Sequence, residues 1–274
     1  MRTSTHSFSA VCETLFIPLY ARAREQHQVP TLLKDPLAQE LVQKIDYDFA
    51  KFEQAPASMT GVVLRAAYFD AIVRQFVKNH TNAVVVHLGY GLDTRCQRLG
   101  AEVADTPFYQ IDVPEVITFR KQLLAPLANE TYIASCMFET TWMEKLHKKH
   151  PRATFAFVME GVLMYFSPEQ NQQLFAHLAQ RFVGAELHFD VISRWLSTGS
   201  NWHDAVRLTP AQFQFGIDDD RAIEKWHTAL RYQGSCDVMS FEGWERAGWL
   251  YWLGQQYFPV LRSAARVVAY FVQP

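Results

Sequence analysis

Cysteine is scarce and scattered: Cys12, Cys96, Cys136 and Cys236 form neither a C-x-x-C pair nor a disulfide ladder. That spacing argues against a zinc site and a disulfide scaffold, so no metal is expected and a reducing cytoplasmic setting fits best. Long apolar runs are missing too. No stretch reaches the roughly 20 residues a membrane helix needs. The opening MRTSTHSFSAVCETLFIPLYARA has no continuous apolar segment followed by a small-residue cleavage site, so the start reads as mature protein. No membrane partner is expected. Charge is balanced, with 26 Lys and Arg against 28 Asp and Glu, and a net charge of -2 offers nucleic acid no broad attraction. Internal repeats are absent as well.

What is present is a chain of 274 residues, 49% of them hydrophobic, enough for one α/β domain with an added cap or lid. Residues 1–80 lack convincing strands and read as a helical cap, clearest over Val62–Val77, where apolar residues recur at helical spacing. From about Asn82 to Ser193 apolar runs alternate with amphipathic ones. AVVVHL precedes DTRCQRL, PFYQI precedes PEVITFRKQLL, TYIAS precedes TWMEKLHKK, TFAFVME precedes PEQNQQLFAHLAQRFV, and AELHFDVI follows. This is the pattern of a parallel sheet covered on both faces, a doubly wound α/β fold. Ser167, Pro168 and Gln170 supply the N-cap, first helical residue and capping-box partner of the fourth helix. Residues 194–234 interrupt the alternation and read as an inserted lid, so 81–274 form a core carrying that insert. A short helix near Phe241–Ala247 then precedes two apolar runs, Trp249–Leu253 and Val267–Val272, expected to pair as late strands.

The chemistry centres on Val84–Arg95, VVVHLGYGLDTR, which reads as strand, glycine turn and helix start. Gly89 and Gly91 suit a backbone that turns through positive φ or approaches a ligand, although a tight turn needs glycine for steric reasons alone. The dinucleotide fingerprint requires a third glycine, and Thr94 stands there, which disfavours NAD. One strand later Asp112 is placed to reach ribose hydroxyls. With Glu115 it also matches a capping box, but Pro114 at the first helical position makes Val113 the cap and leaves Asp112 free.

Arg65 falls on the helical face of Phe69, Ile72 and Phe76, with Asp70 and Arg74 near the opposite face. An inward guanidinium needs an anion, either an internal carboxylate or one belonging to a ligand. Glu160 ends the fourth strand, where it suits a cofactor or cationic group. Tyr165 follows, with a hydroxyl or a π-face to offer a cation, or simply lid packing. Within the insert, His203 in Asn201-Trp202-His203-Asp204 is a candidate base, and Trp202, Phe213 and Phe215 suggest an aromatic-lined pocket or ordinary core packing.

Taken in order, IPLYARA, LLKDPLAQELV, LRAAYFD, VVVHLGYGLDTR, YQIDVPEVI and MEGVLMYFSPE resemble the leucine carboxyl methyltransferase family, and within it the bacterial branch typified by a polyketide O-methyltransferase. The resemblance covers most of the chain. It implies a class I, Rossmann-like methyltransferase fold with a seven-stranded, mostly parallel sheet, a helical N-terminal addition and an insert over the acceptor site. It also implies S-adenosylmethionine as cofactor. Arg65 would hold the cofactor carboxylate, the turn Gly89, Tyr90 and Gly91 would pass beside its methionine portion, Asp112 would bind the ribose, Glu160 would lie at the same site, and Asp93 and Val113 are further candidate cofactor contacts. An Asp-Leu pair common in the family after the third strand is replaced here by Cys136, Met137 and Phe138, leaving adenine to backbone and packing. Tyr90 replaces a small residue between the glycines. The implied reaction is methyl transfer to an oxygen, with Tyr165 and His203 as candidate catalytic residues and a small polyketide-like or aromatic acceptor. A protein C-terminal carboxylate, an NAD-dependent oxidoreductase and a non-catalytic cofactor-binding regulator are the alternatives.

Overall fold

The computed structural model describes residues 3–4, 9–199 and 203–274. Helices α1 (Ala10–Glu13), α2 (Phe16–Glu25), α3 (Pro36–Lys44) and α4 (Pro56–Asn79) come first. Among them, the two-residue strands β1 (Thr3–Ser4) and β2 (Ile45–Asp46) pair in parallel, a detail that a purely helical reading of this region misses. Pro36 and Pro56 start α3 and α4 in their first turns, and the Asp35 carboxylate caps α3 by accepting from the Ala38 N–H.

The alternating region folds as expected. Strands β3 (Ala83–Leu88), β4 (Phe108–Asp112), β5 (Glu130–Ala134), β6 (Thr154–Met159) and β7 (Glu186–Ile192) are joined through α5 (Arg95–Leu99), α6 (Pro114–Leu123), α7 (Thr141–Lys149) and α8 (Pro168–Arg181). The Ser167–Gln170 capping box is formed, and Val113 is the N-cap residue of α6. After β7 come α9 (Arg194–Ser197), β8 (Leu230–Asp237), α10 (Trp249–Tyr257), α11 (Pro259–Arg262) and β9 (Ala265–Val272).

Seven strands form one sheet in the order β5-β4-β3-β6-β7-β9-β8. The pairs from β5 to β7 are parallel, and β9 runs antiparallel between β7 and β8. All six residues of β3 are buried because both faces are covered. Val84, Val86 and Leu88 join Phe157, Met159 and Phe175 on one side, while Val85 meets Phe69, Val73 and Val158 on the other. A third cluster, with Phe16, Leu19 and Phe52, seats the N-terminal helices beside Tyr165, Ile192 and Phe213.

Two sequence expectations change. Trp249–Leu253 is helical, not a strand: an apolar run without β-branched residues carries no decisive period, and Trp249 and Trp252 remain exposed on α10. The strand paired with β9 is instead β8, whose start at Leu230 falls inside the expected 194–234 insert. Its alternating exposed positions, natural for an edge strand, hide it among the polar residues of that segment.

Candidate active site

The direction in which strand order is laid down reverses between β3 and β6, which lie side by side although β4 and β5 come between them in sequence. In open α/β sheets a crevice forms outside the carboxyl ends of strands at such a switch. Here it is a cavity of about 280 Å³. The thirteen site residues read from the sequence all border it: Arg65, Gly89, Tyr90, Gly91, Asp93, Asp112, Val113, Cys136, Met137, Phe138, Glu160, Tyr165 and His203. Thr14 and Arg22 close it from the N-terminal helices.

The turn after β3 has φ of +67° at Gly89 and +56° at Gly91, the left-handed region that disfavours side chains. A Cβ at Gly89 would lie 2.5 Å from Val162 Cγ2. The turn is fastened from two sides. The Gly91 N–H donates to Asp112 Oδ2 at 2.7 Å, and Arg120 Nη1 on α6 donates to the Asp93 carbonyl at 2.7 Å. Asp112 Oδ1 also accepts from the Val113 N–H at 2.8 Å. Burial pushes the Asp112 carboxyl up to about 6, against the opposing pull of these two backbone donors.

Behind the turn lies a connected ion network. Arg22 meets Asp35 and Asp93, Arg98 meets Asp35, Asp70 and Asp93, and Arg95 meets Asp70, Asp93 and Glu160. Arg65 continues it through Nε to Glu160 at 3.1 Å and Nη1 to Asp190 at 2.7 Å. Four arginines thus face five carboxylates, Asp35, Asp70, Asp93, Glu160 and Asp190, a formal surplus of one negative charge. Burial opposes ionisation of Asp93, but Arg98, Arg95 and Arg22 outweigh it and hold the carboxyl well below its usual range.

Asp70, placed by the helical wheel near the outer face of α4, is only 2% exposed. It is drawn inward by Arg95 and Arg98, a long-range pairing that one helix's period cannot reveal. Arg65 finds the internal carboxylates that were one of its two expected kinds of partner. Tyr90 stacks on His87, with ring centroids 4.9 Å apart, and lies against the Arg120 guanidinium. His87 is buried, bonded to Gln110 and Arg95, and burial beside Arg95 pushes its imidazolium down to about 3.

Sequence reasoning does not single out Arg95, His87 or Asp190 as site residues. Asp190 carries a signal, an acid inside the apolar run of β7. It is 1% exposed and accepts from the Gly161 N–H at 2.6 Å. Arg95 stands within the glycine motif but reads there only as the start of a helix.

Toward residues 194–234 Tyr165 packs against Phe213, and burial raises its phenol to about 12. Phe138 packs edge-on to Phe166 at 4.9 Å. Phe213 borders the cavity, whereas Phe215 lies in the core against Trp226, so the expected aromatic lining is only partly realised. Asn201 and Trp202 lie outside the described residues.

Comparison with known proteins points the same way. The leucine carboxyl methyltransferase family model matches residues 16–179. The tetracenomycin polyketide synthesis O-methyltransferase TcmP of Streptomyces glaucescens is 29% identical over 97% of this chain and 98% of its own. The S-adenosyl-L-methionine-dependent methyltransferase dpfgK of Gibberella zeae is 25% identical over 87% of this chain and 86% of its own. Among solved structures, a duf574 family protein from Streptomyces avermitilis aligns with a TM-score of 0.59 at 14% identity, covering 97% of this chain and all of that one. Magnesium protoporphyrin IX methyltransferase from Synechocystis, solved with bound SAH, aligns with a TM-score of 0.50 at 13% identity, covering 87% and 93%.

Proposed function

This chain belongs to the leucine carboxyl methyltransferase family, and on that premise we propose that it transfers the methyl group of S-adenosylmethionine to an oxygen of a small polyketide-like or aromatic acceptor. It is an S-adenosylmethionine-dependent methyltransferase with the class I fold of that group. One observation carries the reading: the cavity at the switch point is backed by a network with one surplus negative charge, and Asp112 stands beside it. A cofactor with a sulfonium, an ammonium and one carboxylate has a net charge of +1, so the donor set fits the group electrostatically.

In this reading Asp112 accepts hydrogen bonds from the ribose hydroxyls, while its own bonds to Gly91 and Val113 keep it aimed at the cleft. Arg65, whose Nε and Nη1 are held by Glu160 and Asp190, has Nη2 left for the cofactor carboxylate, and Gly89, Tyr90, Gly91 and Asp93 border the methionine portion. Glu160 faces the same site. Val113, Cys136, Met137 and Phe138 provide the wall for the adenine. When bound, the cofactor supplies a methyl group on a positively charged sulfur, which an oxygen nucleophile held in line attacks directly. Positioning alone contributes about 7 to 11 kcal/mol to such reactions. Tyr165, with its phenol kept protonated by burial, offers a hydroxyl or a ring face and not a base.

Two alternatives lose ground. A dinucleotide needs a glycine where Thr94 is fully buried with its hydroxyl bonded to Asp35 at 2.6 Å. A protein C-terminus would need a cleft for extended peptide, while the acceptor side is walled by Val62, Ile192, Leu196, Val206 and Phe213, a lining suited to an apolar small molecule. Transfer of labelled methyl from S-adenosylmethionine to a panel of aromatic acids and phenols tests this, with a peptide ending in leucine as the competing substrate. Labelling of the aromatic panel is expected, and labelling of the peptide alone would replace the proposed acceptor.

A further inference from the structure

The loop that follows residue 202 is locked to the start of α4 in a way that fixes one imidazole. Ala57 and Ser58 N–H, free donors of the first turn of α4, both donate to the Asp204 carboxylate, at 3.0 Å for Ala57 and 3.3 Å for Ser58. The Ser58 hydroxyl donates to Asp204 Oδ1 as well. Next to Asp204, the His203 ring borders the cavity and packs edge-on against Phe213 at 5.5 Å. Its Nδ1 lies 3.2 Å from the Val206 N–H and 3.3 Å from Ser58 Oγ.

A backbone N–H can only donate, so Nδ1 is the acceptor and bears no proton. The proton of the neutral ring then sits on Nε2, for which no partner occurs among the described residues. We propose that His203 is a positioning residue, a fixed Nε2–H donor that orients the acceptor's oxygen group, and not the base that deprotonates it. This inference rests on the methyltransferase reading above.

A base would have to take the proton on its unprotonated nitrogen, Nδ1, and that nitrogen already receives the Val206 amide. The charged groups around the ring agree. Arg65 faces it from α4, Asp204 adjoins it, Arg207 donates to the Asp204 carbonyl, and Tyr251 on α10 feels both Asp204 and Arg207. Burial together with Arg65 pushes the imidazolium down to about 4, with Asp204 opposing, so the ring is neutral at pH 7. The acceptor oxygen is accordingly ionised before it arrives or loses its proton to water, and the donor N–H holds it in place.

The test has two parts. In ¹⁵N-labelled protein, long-range ¹⁵N–¹H spectra of the ring are expected to show a bare Nδ1 and a protonated Nε2 that does not titrate between pH 5.5 and 8, as follows from an imidazolium held down to about 4. Protein saturated with S-adenosylhomocysteine is then titrated with 2-naphthoate, an aromatic oxygen anion used as probe. His203→Ala is expected to weaken naphthoate by roughly 10- to 150-fold, the scale of one lost hydrogen bond to a charged group. His203→Gln, whose amide N–H replaces Nε2–H, is expected to retain most of the affinity. A proton on Nδ1, or equal losses in both variants, would overturn the donor role. Failure of the unaltered protein to bind S-adenosylhomocysteine would instead count against the methyltransferase reading itself.

Discussion

The backbone N–H of Gly91 donates to the Asp112 carboxylate at 2.7 Å, tying the turn after β3 to the end of β4. Both residues border the cavity, so one bond shapes the cleft and aims the carboxylate into it. Asp112→Ala is therefore expected to weaken S-adenosylmethionine by about 1.5 to 3 kcal/mol for each ribose bond lost. Calorimetric titration of the variant checks this, and unchanged affinity would remove Asp112 from the ribose site.

With the proposed ribose contact, the same carboxyl is expected to make cofactor binding depend on pH. Burial raises it to about 6, and hydroxyl donors favour its ionised form. The sign follows directly: affinity is full above about pH 6 and falls as pH drops through it, approaching tenfold per unit. Asp112→Asn, which cannot titrate there, is expected to be weaker but flat from pH 5 to 7.5. A parallel fall in both proteins would assign the pH dependence to another group.

Gly89 has no room for a side chain. Its φ is +67°, and an added Cβ would stand 2.5 Å from Val162 Cγ2. Gly89→Ala is expected to cost about 2 to 4 kcal/mol in urea unfolding, combining left-handed strain with overpacking. Gly91→Ala meets only Leu15 Cβ at 3.3 Å and is expected to cost less. Equal effects of the two substitutions would contradict this view of the turn.

Arg95 is 1% exposed and compensates Asp70, Asp93 and Glu160. Arg95→Met leaves these carboxylates short of a partner and is expected to destabilise the protein by about 3 to 5 kcal/mol. Adding Asp70→Asn to it should recover part of the loss, because the two residues act as one unit. A double variant as unstable as the sum of the two single ones would show that they are independent.

Much of the fold and of the site is legible in the residues themselves. The runs from AVVVHL to AELHFDVI mark the parallel strands because strands buried on both faces read as continuous apolar segments. Pro114 releases Asp112 from capping duty, since proline takes the first helical position and makes Val113 the cap. What stays hidden depends on contacts far apart in sequence. Asp70 looks solvent-facing until Arg95 and Arg98 are brought beside it, and Asp190 pairs with an arginine 125 residues away. The 230–237 strand escapes notice because an edge position removes the apolar run that marks the others. Periodicity reports which face of an element is apolar, but not which distant charge will neutralise a buried one.

The most direct measurement is a calorimetric titration of the purified protein, in parallel, with S-adenosylmethionine, S-adenosylhomocysteine and NAD at pH 7.5. Saturable one-site binding of the first two is expected and none of NAD, with the first two signals weakened together in Asp112→Ala. Binding of NAD, or failure of both sulfur ligands to bind, would contradict the assignment of the glycine turn and Asp112 to the methyl donor.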